Sequence, residues 1–300
     1  MENQWETFLD LQNGNEFQKL NHTLIFCSPN KKSLSKIKKL LFEKDGGVND
    51  DFELITFFNV SLKSIMSNKS GSLDVYMLYT PTDLETIDLM NTFTKGICST
   101  SRKLIHWIFV LDWEVPNQKS WLRYLINSFT TLQKLETEHS KTDRAVWCIN
   151  SEFIRTLFRS TTLWHSHHVD FIQQTLRSFC IRKHSSLAYI DNNSKKFSIK
   201  AILKDILQDD DISPVEMVDQ TNILIPFGAD SDSLIKTLDD AFDPTSILES
   251  EFISNFETTI PAYPRSRLQD NSQDANNDES SFYSIDLQER LSKIYQAYKT

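Results

Sequence analysis

HTLIFCSPNKKSLSKIKKLLF, residues His22 to Phe42, reads as a buried strand, a tight loop and a helix that carries Lys-Ser at its start. That is the arrangement of a phosphate-binding loop, whose pattern G-x-x-x-x-G-K-[ST] would place glycines at Phe26 and Lys31 and its Lys-Ser pair at Lys32 and Ser33. Such a loop needs converging backbone N–H groups and residues that tolerate positive φ. Both glycines are gone, Pro29 has no N–H to offer, and Lys31 would put a side chain where phosphate should pass. Taken alone, the stretch is an ordinary strand-loop-helix unit of an α/β sheet with a degenerate remnant, Lys32 and Ser33, of a nucleotide site.

Outward from this unit, apolar runs alternate with helical periods. FELITFFNV (Phe52 to Val60) and LDVYMLYT (Leu73 to Thr80) are strands with no helix between them, which predicts an antiparallel edge hairpin. A helical stretch from about Asp83 to Phe93 leads to KLIHWIFVLDW, the most apolar strand of the chain. Pro116 then opens a helix of about Gln118 to Glu138, with Trp121, Leu122, Leu125, Phe129, Leu132 and Leu135 at helical spacing. AVWCIN (Ala145 to Asn150), a helix from about Val169 to Lys183, the strand LAYI (Leu187 to Ile190) and a helix from Ile199 to Leu207 follow; NILIPFGADSDSLIKTL adds an apolar segment and a short helix. This alternation predicts a mostly parallel sheet covered on both faces, in the order of a Ras-like domain of the P-loop NTPase class.

The ends differ from the middle. In NQWETFLDLQN, Trp5, Phe8 and Leu9 share one helical face, so residues 1–20 form a helical arm that packs on its own domain or docks on a partner. Residues 246–281 read as an extended or disordered linker, with almost no large apolar residue from about Tyr263 to Ser281. Residues 282–300 close the chain with an amphipathic helix whose Leu287, Leu291, Ile294 and Tyr298 step by four, three and four. The Ras-like domain lies between, over residues 21–245.

Composition bounds the function. A net charge of -9 argues against a nucleic-acid-binding face, which needs a basic surplus. The four cysteines, Cys27, Cys98, Cys148 and Cys180, contain no C-x-x-C pair and fit a reducing compartment; Cys27, Cys148 and Cys180 sit in apolar runs and read as core residues. No run approaches the ~18 apolar residues of a membrane span, and the start MENQWETFLD is unlike a signal peptide, so a soluble intracellular protein is expected.

The further chemical sites of a GTPase are also degraded. The third strand ends Leu78-Tyr79-Thr80-Pro81-Thr82 where Asp-x-x-Gly should hold metal-bound water and γ-phosphate. After the fifth strand, Asn150-Ser151-Glu152-Phe153 puts Phe153 where an Asp should grip guanine. Charged hydrogen bonds are worth about 1.5–3 kcal/mol each, so each one lost removes roughly tenfold or more in affinity. These four defects in the correct places give a pseudo-GTPase with no catalytic residues, bound cofactor or metal. His165, His167 and His168 do not converge on an ion by spacing and read as a solvated loop or helix start. Asp112 and Glu114, flanking Trp113, read as a solvated strand end.

Several ordered blocks resemble the light intermediate chains of cytoplasmic dynein, in a divergent fungal-type form. Gln4-Trp5-Glu6-Thr7-Phe8-Leu9 resembles the family's N-terminal Leu-Trp-x-x-Ile-Leu helix, and FVLDWEVPNQKSWLRYLINSFTTLQKL its strand, acidic-Pro turn and long helix. HVDFIQQTLRSFCIRKHSSLAYID is similar to its Phe- and Cys-containing helix and next strand, and NILIPFGADSDSLIKTL to its closing Ile-Pro-x-Gly-x-Asp-x-Asp segment. The resemblance implies a non-catalytic scaffold on the dynein heavy-chain tail, in the cytoplasm and on the microtubule cytoskeleton, serving transport or spindle and nuclear positioning. It implies that the Trp5, Phe8 and Leu9 arm clamps the heavy chain and that the final helix contacts the heavy chain again or a cargo adaptor. The family's Phe-Phe-x-x-Leu-Leu adaptor element is only echoed by Phe282-Tyr283-Ser284-Ile285. Two other readings differ in kind: an atypical GTPase switch using Lys32, Ser33 and Glu152, and a free-standing adaptor with a G-like fold.

Overall fold

A computed structural model describes residues 21–41, 55–61, 72–80, 103–135, 142–160, 162–191, 197–207 and 215–262. The predicted arm with Trp5, Phe8 and Leu9, the helix of about Asp83 to Phe93, and the C-terminal helix with Leu287, Leu291, Ile294 and Tyr298 lie outside these residues. The chain divides between Tyr263 and Pro264, and the elements below belong to the first unit.

Its strands are β1 (Asn21–Ser28), β2 (Ile55–Ser61), β3 (Ser72–Tyr79), β4 (Lys103–Asp112), β5 (Thr142–Ile149), β6 (Ser186–Ile190), β7 (Glu216–Asp219) and β8 (Asn222–Ile225). Among the described residues the helices are α1 (Lys31–Leu41), α2 (Trp121–Leu135), α3 (Phe153–Ser160), α4 (Ser166–Arg182), α5 (Ile199–Leu207), α6 (Asp232–Lys236) and α7 (Ser250–Thr259). The strands form one sheet in the order β2-β3-β1-β4-β5-β6-β8-β7. β3, β1, β4, β5 and β6 are mutually parallel, β2 returns antiparallel to β3, and β8 runs antiparallel to β6 and β7.

Parallel strands read as unbroken apolar runs because both of their faces are covered. Along β1 the alternation divides the run: Ile25 and Cys27 join a core with α2 and α4, while Leu24 and Phe26 join a second core with α1 and α5. The first core carries most of the large aromatics; Phe109 and Phe129 have centroids 4.5 Å apart, and Trp113 and Trp121 4.8 Å. Rings this size each hide about 150–250 Å² and dominate core energetics. Cys27, Cys148 and Cys180 are buried free thiols, and burial pushes Cys180 up to about 12.

The C-terminal expectation needs correction. The stretch assigned to a linker from residue 246 contains α7, and the described backbone continues to residue 262. Ile253, Phe256 and Ile260 bury themselves in the first core, and Arg123 of α2 grips Glu257 through two bonds of 2.6 and 3.0 Å. Three inward apolar residues at helical spacing outweigh the polar composition around them.

Candidate functional site

The chain order reverses at β1, because β2 and β3 lie on one side of it and β4 to β6 on the other. In open α/β sheets ligands settle in the crevice beyond the carboxyl ends of the strands at such a point. Here four strand ends meet: Ser28 of β1, Tyr79 of β3 with Thr80 just after it, Asp112 of β4, and Asn150 after β5.

The connection from β1 to α1 is two residues, Pro29 and Asn30. Phe26, where the first glycine of a phosphate loop would lie, is still in the buried strand, and Lys31, at the second, already begins the helix. Asn30 caps α1 with its own side chain: its Oδ1 accepts from the backbone N–H of Lys32 at 2.8 Å and of Ser33 at 3.4 Å. The helix N–H groups that would attract an anion therefore face a carbonyl oxygen of the protein itself.

Asp112 is the centre of the crevice. Its side chain is 1% exposed. It accepts from Ser33 Oγ at 2.9 Å, Lys36 Nζ at 3.2 Å, Asn150 Nδ2 at 2.7 Å and the Glu114 backbone N–H at 3.0 Å. Lys36 also donates to Glu114 Oε2 at 2.6 Å. The expectation of a solvated strand end is thus wrong for Asp112, since a buried carboxylate needs several donors and this one has them. Glu114 remains half-exposed, at 46% of its side chain. Burial works against the Lys36 ammonium, but the Glu114 hydrogen bond and the Asp112 charge outweigh it and hold its pKa above the ordinary value. Asn150 has φ 57°, a left-handed conformation that asparagine tolerates better than most residues.

The other predicted residues fall around this centre without joining it. Lys32 is exposed, and Lys31 lies 5.3 Å over the Tyr79 ring. Ser33, fully buried, gives its hydroxyl to Asp112. Thr80, in the metal-binding region of a GTPase, is held by its backbone N–H to Ser28 O at 2.8 Å and by its hydroxyl to Tyr124 OH at 2.7 Å. Glu152 pairs with Arg155 at 3.0 Å, and Phe153 packs against the first core. A nucleotide phosphate would meet the Asn30 carbonyl and the Asp112 carboxylate, an acceptor and a negative charge. The described residues do not fit it.

The histidine run lies at the start of α4, with His165 and His167 exposed. His168 Nδ1 accepts from the His165 backbone N–H at 3.1 Å, which closes the first turn. Burial, then His167 and His165, lower the His168 pKa. Among the described residues no group of three His, Cys, Asp or Glu could hold a metal ion, and no helix is long and apolar enough to cross a membrane.

The chain matches the family Dynein light intermediate chain (DLIC) over residues 138–299. It is 33% identical to cytoplasmic dynein intermediate light chain DYN3 of Saccharomyces cerevisiae, across 99% of this chain and 97% of that protein. The chain belongs to the dynein light intermediate chain family. It is also 27% identical to the DYN3 protein of Eremothecium gossypii, across 98% of this chain and 80% of that one. The crystal structure of the dynein light intermediate chain's conserved domain shares its fold, with a TM-score of 0.56 at 15% identity over 83% of this chain and 94% of that one.

Within the part matched to this family, α4 carries a second polar assembly that composition did not reveal. Arg177 binds Asp230 through Nε at 2.7 Å and Nη2 at 2.8 Å, with side chains 2% and 3% exposed. Arg182 reaches Asp232 at 3.0 and 3.3 Å. Gln173 donates to the Met217 carbonyl and Gln174 to that of Ile235. The two aspartates of the Ile-Pro-x-Gly-x-Asp-x-Asp segment thereby tie the chain after β8 to α4, and Gly228, at φ 81°, makes the turn between. The motif itself was the available signal, but its arginine partners lie 53 and 50 residues away.

Proposed function

We propose that this chain is a non-catalytic subunit of the cytoplasmic dynein motor, a pseudo-GTPase that scaffolds the heavy-chain tail in microtubule-based transport or nuclear and spindle positioning. Family membership supports the motor assignment. The observation that carries the non-catalytic part is the Asp112 assembly, which fills the switch-point crevice with a buried carboxylate and its donors. A domain whose ligand position is closed by its own side chains is suited to hold a surface rather than to cycle between states.

In this reading Trp5, Phe8 and Leu9 clamp the heavy chain, and Leu287, Leu291, Ile294 and Tyr298 contact the heavy chain or a cargo adaptor. The protein then works in the cytoplasm, associated with microtubules through the motor. Copurification from native cells tests this. The full chain is expected to bring down heavy chain, and the triple variant Trp5→Ala, Phe8→Ala, Leu9→Ala much less. A full chain that purifies without heavy chain contradicts the scaffold, and unchanged capture by the variant contradicts the arm's role.

A further inference from the structure

At the N-terminal ends of the same strands, opposite the closed crevice, three titratable side chains form a row across one face of the sheet. His106 of β4, only 3% exposed, has Nε2 2.9 Å from Nδ1 of His22 on β1. Its Nδ1 is 3.4 Å from Asp143 Oδ2 on the neighbouring β5, where His106 and Asp143 are register partners. The two imidazoles are stacked with centroids 5.2 Å apart and 17° between planes. His106 and Asp143 also line a cleft of about 600 Å³ whose walls include Trp147, Ile202 and Phe227.

A bond between two imidazoles needs one N–H donor and one bare nitrogen acceptor. Beyond the two neutral rings, the closed row therefore holds at most one added proton, because a second would set N–H against N–H. Separated rings each take up a proton below about pH 6.5. Opening the row at lower pH must take up at least one proton, and by linkage acidification favours the open form. Burial first, and then His22, push His106 down to about 3, which acts in the same direction.

Other charges near this face do not alter the count. From α1, the Lys38 ammonium lies 4.9 Å over the Phe58 ring, and Lys39 is exposed; α5, whose Ile202 and Ile206 line the same cleft as His106, carries the half-buried Lys200. The Arg144 guanidinium lies 5.9 Å over Phe129, in the core on the other side of the sheet, and His184 lines the same cleft as His106.

We propose that the Asp143, His106 and His22 row is a pH-sensitive fastening at the start of β1, closed at neutral pH and released on acidification. β1 begins at Asn21, directly after the arm of residues 1–20. Resting on the reading in which that arm clamps the heavy chain, the row makes the root of the clamp sensitive to pH.

Amide hydrogen exchange on the full chain tests the fastening without any partner. After correction for intrinsic rates, opening of Thr23 and Leu24 is expected to rise about tenfold per pH unit below about pH 6.5, while Val146 to Ile149 do not follow. In His106→Gln this dependence should vanish. Protection of Thr23 and Leu24 that is flat with pH, or an equal slope in the variant, overturns the proposal. If the variant does not fold, the contrast between β1 and β5 in the unaltered protein decides alone. Heavy-chain capture that stays constant while β1 opens with acid would overturn the arm reading and leave the fastening intact.

Discussion

Two buried carboxylates, Asp112 and Asp230, are satisfied in different ways. Asp230 meets one rigid cation, the Arg177 fork, and the backbone N–H of its neighbour Ser231 at 2.8 Å, and the side chains of Asp230 and Arg177 are almost wholly hidden. Asp112 gathers a hydroxyl, an amide, a backbone N–H and one amine from residues scattered between Ser33 and Asn150, and that amine, on Lys36, is 34% exposed. The first is a structural rivet between α4 and the chain after β8. The second stands where open α/β sheets take a ligand, and its donors do the neutralising that a bound group would otherwise do. Burial alone therefore does not distinguish a rivet from a plugged site; the position at the topological switch point does.

Substitutions should separate the two in order of effect. Arg177→Met leaves Asp230 buried without its cation and is expected to cost about 3–5 kcal/mol in urea denaturation. Adding Asp230→Leu should recover much of that, because the uncompensated charge goes with it. Asp112→Ala leaves four donors, one of them the fully buried Ser33 hydroxyl, for a loss of about 2 kcal/mol. If Asp112→Ala proved the more damaging, the rivet and the plug would have been assigned the wrong way round. Asn30→Ala removes only the α1 cap and should cost ~1 kcal/mol, read as a shift in thermal midpoint.

The smallest effect is a dependence on alkaline pH. Because the folded pKa of Lys36 is raised, its contribution is complete below its ordinary value of 10.5 and is lost as pH rises through the higher folded value. The urea midpoint should fall at the alkaline end, and Lys36→Met should flatten that fall. Solvent screening of the part-exposed ammonium keeps the change modest.

The central architecture was readable because it rests on local signals. β1 and α1 differ in apolar period, β2 and β3 are successive apolar runs that pair antiparallel, and β4 is the longest apolar run. What escaped was either short or long-range. β7 and β8 have four residues each, with an irregular register between them, and α3 has only eight. In α7 a polar composition hid Ile253 and Phe256. Asp112 looked solvated because its partners are 79, 76 and 38 residues away, and a strand-end carboxylate in isolation faces water. The loss of the glycines was legible at Phe26 and Lys31; that Asn30 caps the exposed helix end was not, since capping depends on where the helix starts.

The most direct test is titration of the purified full chain with GTP and Mg²⁺, followed by calorimetry and by release of bound nucleotide. The closed crevice predicts no saturable binding, in the unaltered protein and in Lys32→Ala alike. Stoichiometric binding that Lys32→Ala or Ser33→Ala abolishes would contradict the account and return the chain to the class of working switches.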